Sequence, residues 1–287
     1  MFRIGDIEIH MINTGVVWVD SGGPWGLVPR ALWSRYLQPD EQHRVPMVLT
    51  SLLVRTGDRT IVIDTGLGDR LGEKERAIWG LEHPRGTLIE GLARLGVRPG
   101  DVDLVIDTHL HADHCAGNTT LADDGQSVIA TFPEAEYVVQ RGEYEAARHP
   151  NERTRGTYHA DNFEPLRASG QLTLLDGDTT LAPGVTGVIT PGHTDHHMSI
   201  LFESGGEQAL FVADLASYAV HFEKLAWMTA YDIKPLVTLE TKRTWQRWAL
   251  ETGGLLIFQH DTQTLAGHLV EDARGKRRVQ AVEAQFV

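Results

Sequence analysis

Three imidazoles and one carboxylate fall within six consecutive positions of this chain, in the stretch Thr108-His109-Leu110-His111-Ala112-Asp113-His114-Cys115-Ala116-Gly117-Asn118. Imidazole nitrogen and carboxylate oxygen are the donors that zinc and other borderline first-row cations take. His109 and His111 alternate along an extended loop, whereas Asp113 and His114 are adjacent and point to a neighbouring centre. A catalytic zinc keeps one position open for water and does not need four donors from one segment. The spacing therefore reads as the nucleus of a binuclear site. Three more residues of the same chemistry stand at the ends of apolar runs: His193 after Ile189-Thr190-Pro191-Gly192, Asp214 after Phe211-Val212-Ala213, and His260 after Leu256-Ile257-Phe258-Gln259. None is distinctive alone. Together they make five histidines and two carboxylates, the set that two first-row ions sharing a bridging carboxylate and hydroxide require.

Such side chains need strands that end at a common place. Val102–Ile106 is an apolar run leading straight into the loop, and residues 86–96 before it have helical period, with Gly96 placed to stop the helix. Upstream, residues 2–19 alternate apolar and polar as one or two edge strands, and Val48–Val54 and Thr60–Asp64 form a hairpin about Thr56-Gly57-Asp58. Asp64 at the end of that hairpin, followed by Thr65-Gly66, is expected to anchor its own loop or to brace a ligand rather than hold metal. Residues 20–46, with Trp25, Trp33 and Tyr36, are too long for a hairpin loop and read as an insertion. It either covers a site or packs its aromatic rings on the domain or on a second subunit.

Downstream, strands are expected at 135–139, 172–175, 185–189, 198–202, 209–213 and 255–258. A polar helix should start near Gly142, residues 149–169 look irregular, and a long helix over 238–251 should turn Leu239, Trp245, Trp248 and Ala249 inward. Both halves of the chain, about 1–165 and 166–287, read as strands followed by helices. That pattern predicts one α/β domain of two sheets packed face to face with helices outside.

Length and charge bound the partners. A chain of 287 residues can bury a substantial core, and its formal charge of −13 excludes a phosphate-tracking nucleic-acid binder. Its basic run, Arg274 to Arg278, reads as a solvated turn between two short strands. No stretch approaches a membrane span, and Met1-Phe2-Arg3-Ile4-Gly5-Asp6 carries a charge and a glycine where a signal peptide would need an apolar run, so secretion is not expected. The single cysteine, Cys115, excludes an intrachain disulfide and suits a reducing, cytoplasmic setting. Tryptophans in the insertion make a homodimer a further expectation.

The H-x-H-x-D-H loop, the Pro-Gly-His-Thr turn, the strand-end Asp214 and the late His260 resemble the metallo-β-lactamase superfamily of binuclear hydrolases, over residues 48–261. The resemblance implies an αβ/βα sandwich, four layers deep, with the site at one edge. It puts His109, His111 and His193 on one metal and Asp113, His114 and His260 on the other, with Asp214 bridging. Two divalent ions are expected, zinc first, with iron, manganese or cobalt as alternatives. The segment Gln140-Arg141-Gly142-Glu143-Tyr144 makes the chain similar to the branch of acyl-homoserine lactonases and methyl-parathion-type organophosphate hydrolases.

That branch implies a hydroxide between ions roughly 3.5–4 Å apart attacking a lactone, ester or phosphotriester. Asp113 would take up and return a proton. Lactonases of the branch carry a tyrosine three residues after the bridging Asp. Tyr218 lies four after Asp214, and is either a hydrogen-bond donor to the substrate carbonyl or a packed loop residue. Thr194-Asp195-His196-His197 departs from the family's usual Thr-Pro-Gly-His, and His196 and His197 read as braces or surface residues. Cys115 reads as packing. A glyoxalase II-like thioesterase would add a C-terminal helical domain, and the di-iron branch a Glu at 111 and a flavodoxin domain. A mononuclear iron dioxygenase remains an alternative, while a non-catalytic binding module would have lost donors. β-Lactamase activity itself is not expected.

Overall fold

The computed structural model describes residues 1–287. Phe2–Ile4 (β1) and Ile7–Asp20 (β2) fold back on each other, and β2 pairs antiparallel along its length with Arg44–Thr56 (β3). Between them the aromatic insertion forms two single-turn helices, Gly22–Trp25 (α1) and Arg30–Trp33 (α2). Arg59–Ile63 (β4) closes the expected hairpin with β3. Glu73–Trp79 (α3) and Leu88–Arg94 (α4) follow, the latter capped by Thr87 and Glu90 in a reciprocal box. Leu104–Ile106 (β5) leads into the histidine loop, whose Ala112–Cys115 makes one helical turn (α5). A separate hairpin, Thr119–Leu121 (β6) with Val128–Ala130 (β7), precedes Glu136–Gln140 (β8), Arg141–Arg148 (α6), Glu164–Ser169 (α7) and Leu172–Leu175 (β9).

The rest of the chain builds a second sheet. Its strands are Thr179–Ala182 (β10), Val185–Ile189 (β11), Met198–Ser204 (β12), Glu207–Phe211 (β13), Leu255–Ile257 (β14), Ala266–Glu271 (β15) and Arg277–Ala281 (β16). Ala219–Glu223 (α8) and Pro235–Thr252 (α9) lie between β13 and β14. Strand order is β1-β2-β3-β4-β5-β8-β9 in one sheet and β10 through β16 in sequence in the other. No helix is long and apolar enough to cross a membrane.

Period-two alternation buries both faces of each sheet. Ile61 and Ile63 of β4 and Leu104 and Ile106 of β5 meet Ile200, Phe202, Phe211 and Ile257 in the core between the sheets. Val62 and Val105, from the same strands, face outward onto Leu92 of α4 and Leu166 of α7. On the other side Leu210 and Leu256 pack on Phe222 of α8 and Ala249 of α9. The two sheets face each other with helices outside, the four-layered αβ/βα sandwich that the resemblance implied.

The structure departs from the sequence reading at three places. The crossing between sheets falls at 176–178, not near 165, because β9 completes the first sheet in parallel with β8. Residues 149–169 are not irregular throughout, since α7 forms and Tyr158, Phe163 and Leu166 are buried. The inner face of α9 is Thr238, Lys242, Gln246 and Ala249; Leu239, Trp245 and Trp248 are only partly buried. Lys242 Nζ donates to the carbonyls of His221 (3.0 Å) and Trp227 (2.6 Å), so the carbonyl end of α8 satisfies a cation where the periodicity argued for indole.

Candidate metal centre

Strands β11, β13 and β14 run in one direction, so His193, Asp214 and His260 emerge together at one edge of the second sheet. Met198 N donates to Thr108 O at 3.0 Å and so draws the histidine loop of the first sheet to that edge. All seven expected donors converge there. They form three overlapping groups whose ligand atoms lie within 4.8 Å of one another: His109, His111 and His193; His109, His114 and Asp214; Asp113, His114 and His260.

In the first group His109 Nε2 is 3.0 Å from His111 Nδ1, which is 3.1 Å from His193 Nε2. Zinc–nitrogen bonds of 2.0–2.1 Å give tetrahedral edges of about 3.3 Å, so these nitrogens already sit near the corners of such a site. Burial, then the neighbouring imidazoles, hold His109 and His111 well below the usual imidazole range, in the neutral form a cation needs. Across the centre, Asp214 Oδ2 is 3.1 Å from His193 Nε2 and its Oδ1 is 2.9 Å from His260 Nε2, so one carboxylate spans both groups. Burial would raise Asp214, but His260, His193 and His114 outweigh it and hold the carboxyl well below its ordinary range. For His114 burial works downward, while Asp113 and Asp214 carry it well above the usual value.

The residues fit a pair of cations on a second count. His114 Nε2, His260 Nε2 and Asp214 Oδ1 are buried without a hydrogen-bond partner, close to one another but misaligned for bonding. Orphaned buried polar atoms carry a desolvation cost that a cation would relieve. Meanwhile the far nitrogen of four of the five rings is held: His114 Nδ1 by Asp64 (2.9 Å), His193 Nδ1 by Asp232 (3.0 Å), His260 Nδ1 by Val48 O (2.8 Å) and His109 Nδ1 by Thr108 Oγ1 (3.1 Å). That pattern fixes tautomer and ring direction and leaves the inward nitrogen bare.

Asp64 does what its position promised. Its oxygens also accept from Thr108 N (2.8 Å) and Thr108 Oγ1 (2.9 Å), and its φ of 52° is left-handed. Ala213, just before Asp214, has φ of 47°, so two strained non-glycine residues flank the donors. Gly192 leaves no room for a side chain: a Cβ would meet Thr238 backbone nitrogen at 2.4 Å. Of the uncertain histidines, His197 is buried and accepts from Asp214 N at 3.1 Å, whereas His196 is exposed. The Cys115 thiol donates to Leu110 O at 3.3 Å, and burial pushes it far above the thiolate range, which fits packing.

Of the two roles left open for Tyr218, its contacts are those of the packed residue. Its hydroxyl donates to Pro46 O at 3.1 Å and its ring stacks on Trp25, with centroids 5.2 Å apart. Trp25 in turn stacks on Trp33 and meets Trp227 edge-on. The insertion therefore packs its rings beside the site. Sequence reasoning missed Asp232, the brace of His193, and Glu143, since neither stands near its partner in the chain. The one available signal for Glu143 was its place in the Gln140–Tyr144 segment.

A closed cage of imidazoles with its most open member, Asp113, 18% exposed at the rim is built for activating water against a small electrophile. The sequence profile of the metallo-β-lactamase superfamily matches residues 45–262; the chain belongs to that superfamily, and with this donor cage it is a metallo-hydrolase. An N-acyl homoserine lactonase of Bacillus sp is 27% identical over 231 residues, 75% of this chain and 82% of that one. A probable metal-dependent hydrolase from Staphylococcus aureus superposes over the whole of both chains with a TM-score of 0.88 and 29% identity. AidC, a dizinc quorum-quenching lactonase in complex with an acyl-homoserine product, shares the fold with a TM-score of 0.79 and 19% identity, covering 99% of this chain and 97% of that one.

Proposed function

We propose that the chain is a dizinc hydrolase that opens lactone rings, with N-acyl-homoserine lactones as the preferred class. The observation that carries this is the seven-donor cage, complete in every position, in a chain whose relatives over three quarters of its length are acyl-homoserine lactonases. His109, His111 and His193 would hold one ion, Asp113, His114 and His260 the other, and Asp214 both. A bound pair of divalent cations lowers the pKa of water to near neutrality and polarises a carbonyl. The protein supplies the rest. Asp113, at the rim, receives the proton released when water attacks and returns it to the leaving alkoxide. The Tyr231 phenol lies against Gly23, close enough to the cage for Asp113 and Asp214 to bear on it, and would donate its hydroxyl proton to a substrate oxygen. The partly exposed Trp227, seated edge-on against the buried Trp25 that stacks on Tyr218, would offer an apolar surface to an acyl chain.

Metal analysis with a substrate panel tests this. The expected result is close to two zinc ions per chain and faster turnover of acyl-homoserine lactones than of aryl esters, phosphotriesters or thioesters, lost on chelation and restored by zinc. A single iron with oxygen consumption overturns it, as does preferred hydrolysis of a thioester or phosphotriester.

A further inference from the structure

Glu143 is fully buried and has no cationic partner, yet its carboxylate is saturated with donors. Oε1 accepts from Leu110 N at 3.1 Å and from Tyr158 hydroxyl at 2.8 Å; Oε2 accepts from Thr194 hydroxyl at 2.6 Å. Each donor belongs to the three-imidazole group. Leu110 stands between His109 and His111, Thr194 follows His193, and the Tyr158 ring lies 5.0 Å from His111. The Tyr158 segment is itself tied to the loop, Ala112 N donating to Thr157 O at 2.9 Å. The start of α6 is wedged against the other turn as well: a Cβ on Gly142 would lie 2.3 Å from the His196 ring. So one carboxylate, at the seam between the two sheets, grips the loop from the first sheet and the turn from the second.

Nothing equivalent links Glu143 to the other centre. His114 is braced by Asp64 and His260 by Val48 O, neither of which bonds to Glu143. Hydrogen bonds to a carboxylate are stronger than neutral ones, and a buried carboxylate left short of donors is costly, so the three partners are held firmly.

We propose that Glu143 is the positioning residue of the three-imidazole centre: it sets the gap between the His109–His111 loop and His193, and its loss weakens ion binding at that centre while sparing its neighbour. The proposal rests on the metal reading of the site.

Apoprotein titrated with zinc, followed by cobalt as a visible-absorbance probe, tests both separately. Wild type is expected to bind two ions; if it binds fewer, the metal reading itself fails. With two ions bound by wild type, Glu143→Ala should bind one as wild type does and the other about 10–100-fold more weakly. Glu143→Gln should restore part of the loss, because its amide oxygen still accepts from Leu110 N and Tyr158. The double variant Glu143→Ala with His260→Ala should hold no ion at native affinity. A folded Glu143→Ala that binds both ions at wild-type affinity overturns the proposal, as does a double variant that keeps one. Should Glu143→Ala fail to fold, Thr194→Val and Tyr158→Phe each remove one donor. Weakening of a single ion in both supports the proposal, and two undisturbed ions in both overturns it.

Discussion

Asp64 shows how much of this site is decided by one atom. Its Oδ2 faces His114 Nδ1 and obliges that nitrogen to carry the proton, which leaves Nε2 bare toward the cage. In Asp64→Asn the left-handed backbone is tolerated, since asparagine favours that region. An amide nitrogen facing His114 would reverse the tautomer and put a proton where a lone pair is needed. The expected outcome is a folded protein whose affinity for the ion at the Asp113–His114–His260 group drops roughly 10–100-fold, read by zinc competition against a chromophoric chelator. Unchanged affinity would rule out the tautomer argument. The sequence carried the first half of this: an Asp at a strand end before glycine announces a bracing role. It could not announce Asp232 for His193, because the two meet only after α8 and the chain beyond it have folded back across the site.

At the scale of elements, α9 is where pattern and structure parted. Apolar periodicity selects the tryptophans, but Lys242 and Gln246 take the inside because carbonyls of α8 and of the segment after it are waiting there. Local sequence cannot reveal a partner made of backbone. The short strands of the first sheet were legible for the opposite reason, being β-branched, apolar and bounded by glycine. Burial drives Lys242 down to about 7, from an unfolded value near 10.5. Between those two values the unfolded chain binds the extra proton, so this amine makes wild-type stability rise with pH through that interval. Lys242→Met should be destabilised by about 3 kcal/mol at neutral pH, through stranded carbonyls, and should lose that upward slope. Denaturant melts of both proteins from pH 6.5 to 9.5 measure the difference, and parallel pH profiles would contradict it.

For the whole molecule, the cage is also a clasp. His109, His111, Asp113 and His114 come from the first sheet's part of the chain, and His193, Asp214 and His260 from the second's. Ions bound there join the sheets at one edge as the apolar core joins them at their faces. Ligation at a thousand times the dissociation constant adds about 4 kcal/mol. Stripping the ions with a chelator should therefore lower Tm by on the order of 10 °C, with recovery on adding zinc; an unaltered melting curve would mean that the sheets do not need the clasp.

The division of donors at 176–178 bears on how the enzyme is made. During synthesis the histidine loop leaves the ribosome early, with its cation-seeking groups exposed and no partner sheet to face. The cage stays unfinished until the β14 segment delivers His260, after the whole of α9 has been made. A nascent chain stalled before β14 would display a half-formed chelator, and a complete cage for cations forms only once both sheets are in place.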